Sequence, residues 1–451
     1  MTRIFSRQDL SRLIFPLIVE QFLVFSVGFA DIVMAAHLGE AAVSGVSLVD
    51  NICVLITNLF AATAMGGAVV CSHYIGAGKP ENVSLTAKQL IYTMLIISLF
   101  FLAIGLIFHS QILILVFGHI DDDVMRNAQT YFFFMLLSFP FLALYNASAA
   151  LFRSQGNSRV SMSISIIANA LNVGGNALCL FVLKMGVEGV AIPTLVSRTV
   201  GAAVLIFLLY HAKPYNGKSA IRIQGISKVK LDFKTIQRIL AIGIPSGIEN
   251  STFQFGKIVV LSLVTSLGTG AIAANAAAGT MSVINTLSGS AISLALLTVV
   301  GQCLGAGRPD AAVFFTKKLM RTAYLSMGAL NLVLLLTSKW QVAIFPLQPE
   351  TSLITWRLYA AHCIAASLIW PLSFTLPNAL RAANDAKFTM IASMLSMWFV
   401  RVGASYVFVL YCGMGIYGVW LGMLCDWIIR ALIFTIRFLH GKWKMHYKIT
   451  E

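Results

Sequence analysis

The residues able to do chemistry in this chain are ionisable and amide side chains embedded in apolar sequence. Asp31 stands seven residues before Leu38, Asn176 eight before Lys184, and Thr194 eight after Gly186. At about 1.5 Å per helical residue, the three share a depth of roughly 10–12 Å below one membrane face. A carboxylate, an amide and a hydroxyl at one depth can take up and release a proton or a sodium ion. An ionisable group inside a span is costly enough to be a functional candidate by default. The structural alternative is that the amide and hydroxyl only tie helices together. Glu20 and Glu249 each stand four residues after a proline, Pro16 and Pro245, roughly 27 Å from that face. Two such carboxylates would attract a cation entering from the opposite side, or each would contact polar groups near its own helix start. Lys257, Arg401 and Asp426 share a depth near the midplane, roughly 15 Å down. Unpaired charges there are costly, so a buried Lys257–Asp426–Arg401 cluster is expected, with Asp50 and Arg198 pairing in the same way. A structural role is the first expectation for both of these sets.

The elements that position these groups follow from composition. Of 451 residues, 58% are hydrophobic and 11% charged, and the mean hydropathy is +0.84. A soluble domain carries about 25% charged residues, and a water-soluble fold could not hide this much apolar surface. Twelve apolar stretches, each long enough to cross a bilayer, lie at 11–38, 44–74, 88–117, 127–152, 160–183, 187–211, 239–267, 271–303, 314–345, 353–380, 388–411 and 415–440. The net charge of +15 sits in alternate loops. One set holds Lys79 and Lys88, Arg153 and Arg159, Arg308, Lys317 and Lys318, Arg381 and Lys387. The other is nearly free of Lys and Arg. Orientation in the membrane explains the charge better than nucleic acid does, and it puts both termini in the cytoplasm. The seven cysteines fall in apolar runs without a C-x-x-C pair and read as small buried residues. No cleavable signal is expected, because the apolar stretch after Arg3, Arg7 and Arg12 is too long for one.

An internal repeat organises the spans. Pro16, Glu20 and Leu38-Gly39 recur as Pro245, Glu249 and Leu267-Gly268. Gly76-Ala77-Gly78-Lys79-Pro80 recurs as Gly305-Ala306-Gly307-Arg308-Pro309. The offset is 229 in each case (245 − 16, 249 − 20, 268 − 39, 305 − 76). Six spans per repeat is an even number, so both halves enter the membrane from the same side. The expected fold is all-α and integral to the membrane, with twelve helices in two parallel, pseudo-symmetric six-helix bundles. Residues 1–211 form the N-terminal bundle, 212–238 a basic cytoplasmic linker and 239–451 the C-terminal bundle.

Over nearly its full length the chain resembles the MATE (multidrug and toxic compound extrusion) transporters. The resemblance rests on Pro16, Glu20, Asp31 and Leu38-Gly39, the duplicated Gly-Ala-Gly-basic-Pro turn, Leu151-Phe152-Arg153-Ser154-Gln155-Gly156-Asn157, and Asn169, Asn172 and Asn176. It implies cation-coupled antiport that exports amphipathic, mostly cationic compounds. It also implies a cation-responsive site of the DinF-like branch at Asp31, Asn172, Asn176 and Thr194. Many relatives carry a second acid where Asn176 stands; its absence weakens a sodium site and leaves one titrating carboxylate, so the proton is the preferred coupling ion. The NorM-like branch places a coupling Glu where Phe253 stands, and its acid in span ten has no match in Trp370-Pro371-Leu372-Ser373. The chain is therefore expected closer to the DinF-like branch. No cofactor is expected besides a proton or sodium as coupling ion. The expected partners are a small-molecule substrate and the bilayer, not nucleic acid. The working unit is expected to be a monomer in the plasma (inner) membrane. A lipid-linked oligosaccharide flippase of the same superfamily stays open, because Lys257 and Arg401 are cations in the second half. A membrane-embedded enzyme would need a clustered set of catalytic groups, and the eight histidines are scattered.

Overall fold

A computed structural model describes residues 4–118, 120–212, 221–223, 225 and 231–445, the side chains of Phe29, Ile32 and Met445 excepted. Arg3 and the linker residues Lys213, Lys218, Lys228 and Lys230 lie outside the described residues. The protein is all-α. Its long helices are α1 Arg7–Ala36, α2 Glu40–Gly76, α3 Pro80–Phe117, α4 Asp122–Ser154, α5 Ser158–Val182, α6 Glu188–Tyr210, α7 Phe233–Thr265, α8 Thr269–Gly305, α9 Pro309–Leu336, α10 Pro349–Leu368 continued by Pro371–Ala382, α11 Ala386–Tyr411 and α12 Gly415–His440. The two parts of α10 meet at 60°, at Trp370-Pro371. Pro371 has no N–H to continue the helical ladder, so the break falls there. Among the described residues, ten helices are long and apolar enough to cross a bilayer, and the bent α10 makes an eleventh. The twelfth, α7, carries Glu249 and Lys257 along its length.

Local sequence sets the helix ends. Ser6 caps α1 in a capping box with Asp9, each side chain accepting from the other's backbone N–H at 3.0 and 2.9 Å. Pro80 and Pro309 start α3 and α9 at repeat-equivalent positions, where a missing N–H costs nothing. The repeat extends to backbone conformation. Positive φ values occur at Gly39 and Gly268 (100° and 92°), at Gly78 and Gly307 (67° and 68°), and at Lys184 and Gly413 (50° and 64°). One π-helical turn ends α5 at Leu178–Val182 and another ends α11 at Val407–Tyr411. Each of these pairs is separated by the 229-residue repeat offset.

The chain divides into two compact units, Phe5–Gly247 and Ile248–Glu451, with the cut inside α7. In the first unit, α1 packs on α5, and α2, α3 and α6 pack on α4. The start of α7 crosses α2 so closely that a Cβ on Gly66 would stand 2.3 Å from the Ile239 carbonyl oxygen. In the second unit, Gly422 of α12 lies against α11, where a Cβ would come within 2.9 Å of the Ser405 backbone nitrogen. Much of the exterior is apolar, with Phe15, Ile107, Phe399 and Leu439 all more than 60% exposed. Such a surface belongs in lipid.

Candidate functional site

In the first unit, three helices bring the expected cation-coupling residues into one hydrogen-bonded chain. Asn172 and Asn176 are four residues apart on α5 and therefore share a face. The Asn176 amide Nδ2 donates to the Asp31 carboxylate of α1 at 2.6 Å and to Asn172 Oδ1 at 3.4 Å. The Asn172 amide donates to the Thr194 hydroxyl of α6 at 2.9 Å, and Thr194 in turn donates to the Val190 carbonyl at 2.9 Å. Asn172, Asn176 and Thr194 are all buried. The Asn176 Oδ1 atom is buried and has no hydrogen-bond partner. An orphaned acceptor at this depth costs free energy that a bound proton or cation would recover. Among the described residues no group of three or more His, Cys, Asp or Glu side chains is placed to hold a metal ion. Asp31 is the carboxylate of the hydrogen-bonded set Asp31–Asn176–Asn172–Thr194.

Asp50 and Arg198 do not form the expected pair. Tyr131 donates its hydroxyl to Asp50 at 3.3 Å, and Arg198 donates to the Ser138 hydroxyl at 2.6 Å. Polar side chains of α4, Tyr131 and Ser138, lie within reach and take up the contacts that a direct pair would have made.

The two repeat-related glutamates are paired, not open to a passing cation. Glu20 of α1 is 2.8 Å from Arg153 of α4 and accepts from Ser161 of α5 at 2.9 Å. Glu249 of α7 is 2.8 Å from Arg381 of α10 and accepts from Ser393 of α11 at 2.6 Å. The physical reason is burial. Glu20 and Glu249 are 4% and 7% exposed, and a carboxylate so enclosed persists only with a cation and donors around it. Arg153 and Arg381 look like loop charges in the sequence, yet both point inward.

In the second unit the expected cluster is rearranged. Asp426 of α12 pairs with Arg430 one turn on, at 2.9 Å, and accepts from Ser396. Arg430 also donates to the Ser393 carbonyl at 3.0 Å. The i,i+4 spacing places Arg430 beside Asp426 on one helix face, which neither Lys257 nor Arg401 can match from its own helix. Lys257 and Arg401 gather instead on an aromatic ring. The Lys257 ammonium and the Arg401 and Arg430 guanidiniums lie over Phe253 at 5.2, 5.3 and 5.3 Å from its centroid, within cation–π range. Lys257 and Arg401 border a cavity of about 490 Å³ whose lining includes Phe253, His362, Trp370 and Trp427. Sequence reasoning missed Arg430, although its spacing from Asp426 was a visible signal. It also missed the pairing of the glutamates, for which the matched Arg153 and Arg381 were the signal.

Comparison with known proteins gives a consistent picture. A family model described as MatE matches twice, at residues 16–178 and 245–407, reproducing the 229-residue offset. A protein named "Probable multidrug resistance protein NorM" from Thermotoga maritima is 24% identical, over 99% of this chain and 95% of its own length. The Bacillus subtilis protein named "Uncharacterized transporter YisQ" is 25% identical, over 96% of this chain and 94% of its own. Among solved structures, an outward-facing multidrug resistance MATE family transporter of the MOP superfamily superposes with a TM-score of 0.89 at 16% identity, covering 97% of this chain and 96% of that one. A MOP superfamily transporter from Pyrococcus furiosus, described as having a binding pocket of reverse polarity, gives 0.88 at 17% identity, covering 98% of this chain and 96% of that one.

Proposed function

The chain belongs to the MatE family of multi-pass membrane transporters, and we propose that it is a proton-coupled antiporter in which Asp31 carries the proton. Its relatives are transporters, not enzymes, and it acts on small molecules within a membrane. The observation that carries the coupling proposal is the chain Asp31–Asn176–Asn172–Thr194, with the Asn176 Oδ1 acceptor left open beside the carboxylate. A protonated Asp31 could donate to that acceptor, whereas an ionised Asp31 accepts from the same amide. The two protonation states thus favour different hydrogen-bond arrangements linking α1, α5 and α6. A ligand shifts a conformational equilibrium only through such differential interaction. Sodium is the weaker choice, because the site offers a single carboxylate. The 229-residue repeat supports two six-helix bundles, residues 1–211 and 239–451 joined by 212–238, working by alternating access.

We place the chain nearer the DinF-like than the NorM-like branch, since Phe253, stacked by cations, stands where a coupling Glu would be expected. The NorM names of its relatives come at low identity and do not decide this. The basic alternate loops support a plasma-membrane protein with both termini cytoplasmic, and the site is complete within one chain, which supports a working monomer. The substrate is an amphipathic compound exported from the cell. A lipid-linked oligosaccharide flippase is the second reading, favoured by Lys257 and Arg401; it requires transbilayer movement of a fluorescent isoprenyl-pyrophosphate lipid in proteoliposomes. The coupling proposal is tested by adding naphthalenesulfonate, naphthalenesulfonamide and naphthylmethyl-trimethylammonium in turn to detergent-purified protein in weak buffer. A transported compound should release a proton from the wild type and none from Asp31→Asn. Equal release from both proteins would exclude Asp31 as the carrier.

A further inference from the structure

Two cations of the second unit form no ion pair. Among the described residues, neither Lys257 nor Arg401 lies within 4.0 Å of an acidic oxygen, and neither side chain makes a hydrogen bond. The Arg401 Nε atom is buried and unpartnered. The nearby acid, Asp426, turns its Oδ1 to Arg430 and Ser396 while its buried Oδ2 makes no hydrogen bond, and Glu249 is committed to Arg381 and Ser393. The cavity that Lys257 and Arg401 border has no Asp or Glu in its lining. It therefore presents two positive charges and no negative one.

Burying a cation in a membrane protein without a counter-ion is expensive. Phe253 offsets part of that cost, because its ring faces both heads at 5.2 and 5.3 Å. A ring quadrupole recovers only part of what desolvating an ion costs. The remainder is what an anion entering the cavity would recover. The rest of the lining suits the body of such a ligand. Trp370 stacks on Phe374 at 5.3 Å and Trp427 meets Phe374 edge-on at 5.9 Å, so flat aromatic faces stand beside the cations. A volume of about 490 Å³ is ample for a small aromatic molecule and lies within the usual range of ligand pockets.

We propose that this cavity binds amphipathic organic anions, the acid group set between Lys257 and Arg401 and the aromatic body among Phe253, Trp370 and Trp427. This inference rests on the efflux reading above and gives its substrate a class. It differs from the cationic substrate that the resemblance implied. The anion could be the acid group of a soluble compound or the phosphate of a lipid headgroup; both present negative oxygens to the same two cations.

The test measures calorimetric binding to the full-length protein in detergent at fixed pH. The probes are three compounds of one shape: naphthalenesulfonate, the neutral naphthalenesulfonamide and the permanently cationic naphthylmethyl-trimethylammonium. Naphthalenesulfonate should bind about tenfold or more tightly than the sulfonamide, the effect of a hydrogen bond to a charged group. Lys257→Gln and Arg401→Gln should each erase most of that preference while leaving sulfonamide binding in place, and Lys257→Arg should retain it. Retained sulfonamide binding also shows that the variants are folded. Tightest binding of the trimethylammonium probe, or a sulfonate preference unchanged in both Gln variants, would overturn the proposal. Displacement of naphthalenesulfonate by dihexanoyl phosphatidylglycerol, and not by hexyl phosphate, would assign the anion to a lipid headgroup; the reverse would assign it to a soluble compound. Either pattern supports the anion site. Because binding is read without a proton gradient, it can succeed while coupled transport fails. In that case the antiport reading falls and the anion site stands.

Discussion

The Glu20 carboxylate is 2.8 Å from the Arg153 guanidinium, and in the other repeat Glu249 is 2.8 Å from Arg381. Each pair ties the first helix of its repeat to the fourth, and each carboxylate also accepts from a serine on the fifth, Ser161 or Ser393. One latch therefore joins three helices and occurs twice.

Removing one partner of such a latch leaves a buried charge. Glu20→Leu and Arg381→Met should each destabilise the protein by about 3–5 kcal/mol. The double variant Glu20→Leu/Arg153→Met should recover much of the loss, since an apolar pair of similar size avoids the stranded ion. Thermal unfolding of the purified protein in detergent reads both effects. A double variant as unstable as the worse single would contradict the latch.

Asp426 and Lys257 should behave differently when neutralised. Asp426→Asn strands Arg430 and is expected to cost about 3–5 kcal/mol in stability. Lys257→Gln removes a charge with no carboxylate beside it and should leave the melting temperature unchanged or raise it. If the two variants lost equal stability, the Asp426 carboxylate would be serving Lys257 as well as Arg430.

The crossing of α2 with the start of α7 depends on Gly66. A methyl there meets the Ile239 carbonyl oxygen at 2.3 Å. Gly66→Ala should cost about 1–3 kcal/mol through forced backbone shifts, whereas Gly28→Ala, with nothing within 4 Å of its Cβ, should be tolerated. Expression level and melting temperature distinguish the two.

Within the coupling chain, the effect should fade with distance from Asp31. Asn176→Leu removes the amide that touches the carboxylate and should reduce gradient-driven transport roughly tenfold or more, as expected for a hydrogen bond to a charged group. Thr194→Val removes two neutral hydrogen bonds, to Asn172 and to the Val190 carbonyl, at the far end of the chain from Asp31, and should cost about threefold. Initial rates in proteoliposomes measure both. A larger loss at Thr194 would place the titrating group elsewhere.

The spans and the duplication were legible in the sequence because a bilayer demands long apolar helices and because turns such as Gly39 and Gly268 keep the same positive φ in both repeats. Much of the Asp31 chain was also legible, since the depths of Asp31, Asn176 and Thr194 agree, while Asn172 entered through the family resemblance. The partners of the buried charges were not. Depth along a helix says nothing about rotation around it, so Asp426 was matched to cations at its own level while Arg430, one turn away on the same face, holds it. Arg153 and Arg381 were read as loop charges for a related reason. Arginine can extend several ångströms from a helix end, and its backbone position near a loop hides that the head points inward.

The central claim is that Asp31 carries the coupled proton, and it is tested in proteoliposomes with pyranine trapped inside. An outward proton gradient is imposed, and the permanently charged probes naphthalenesulfonate and naphthylmethyl-trimethylammonium, which cannot ferry protons themselves, are added in turn. In the wild type, addition of a transported probe should accelerate the pyranine signal and accumulate the probe against its gradient, and in Asp31→Asn both should be lost. Gradient-driven accumulation that persists in Asp31→Asn would contradict the account.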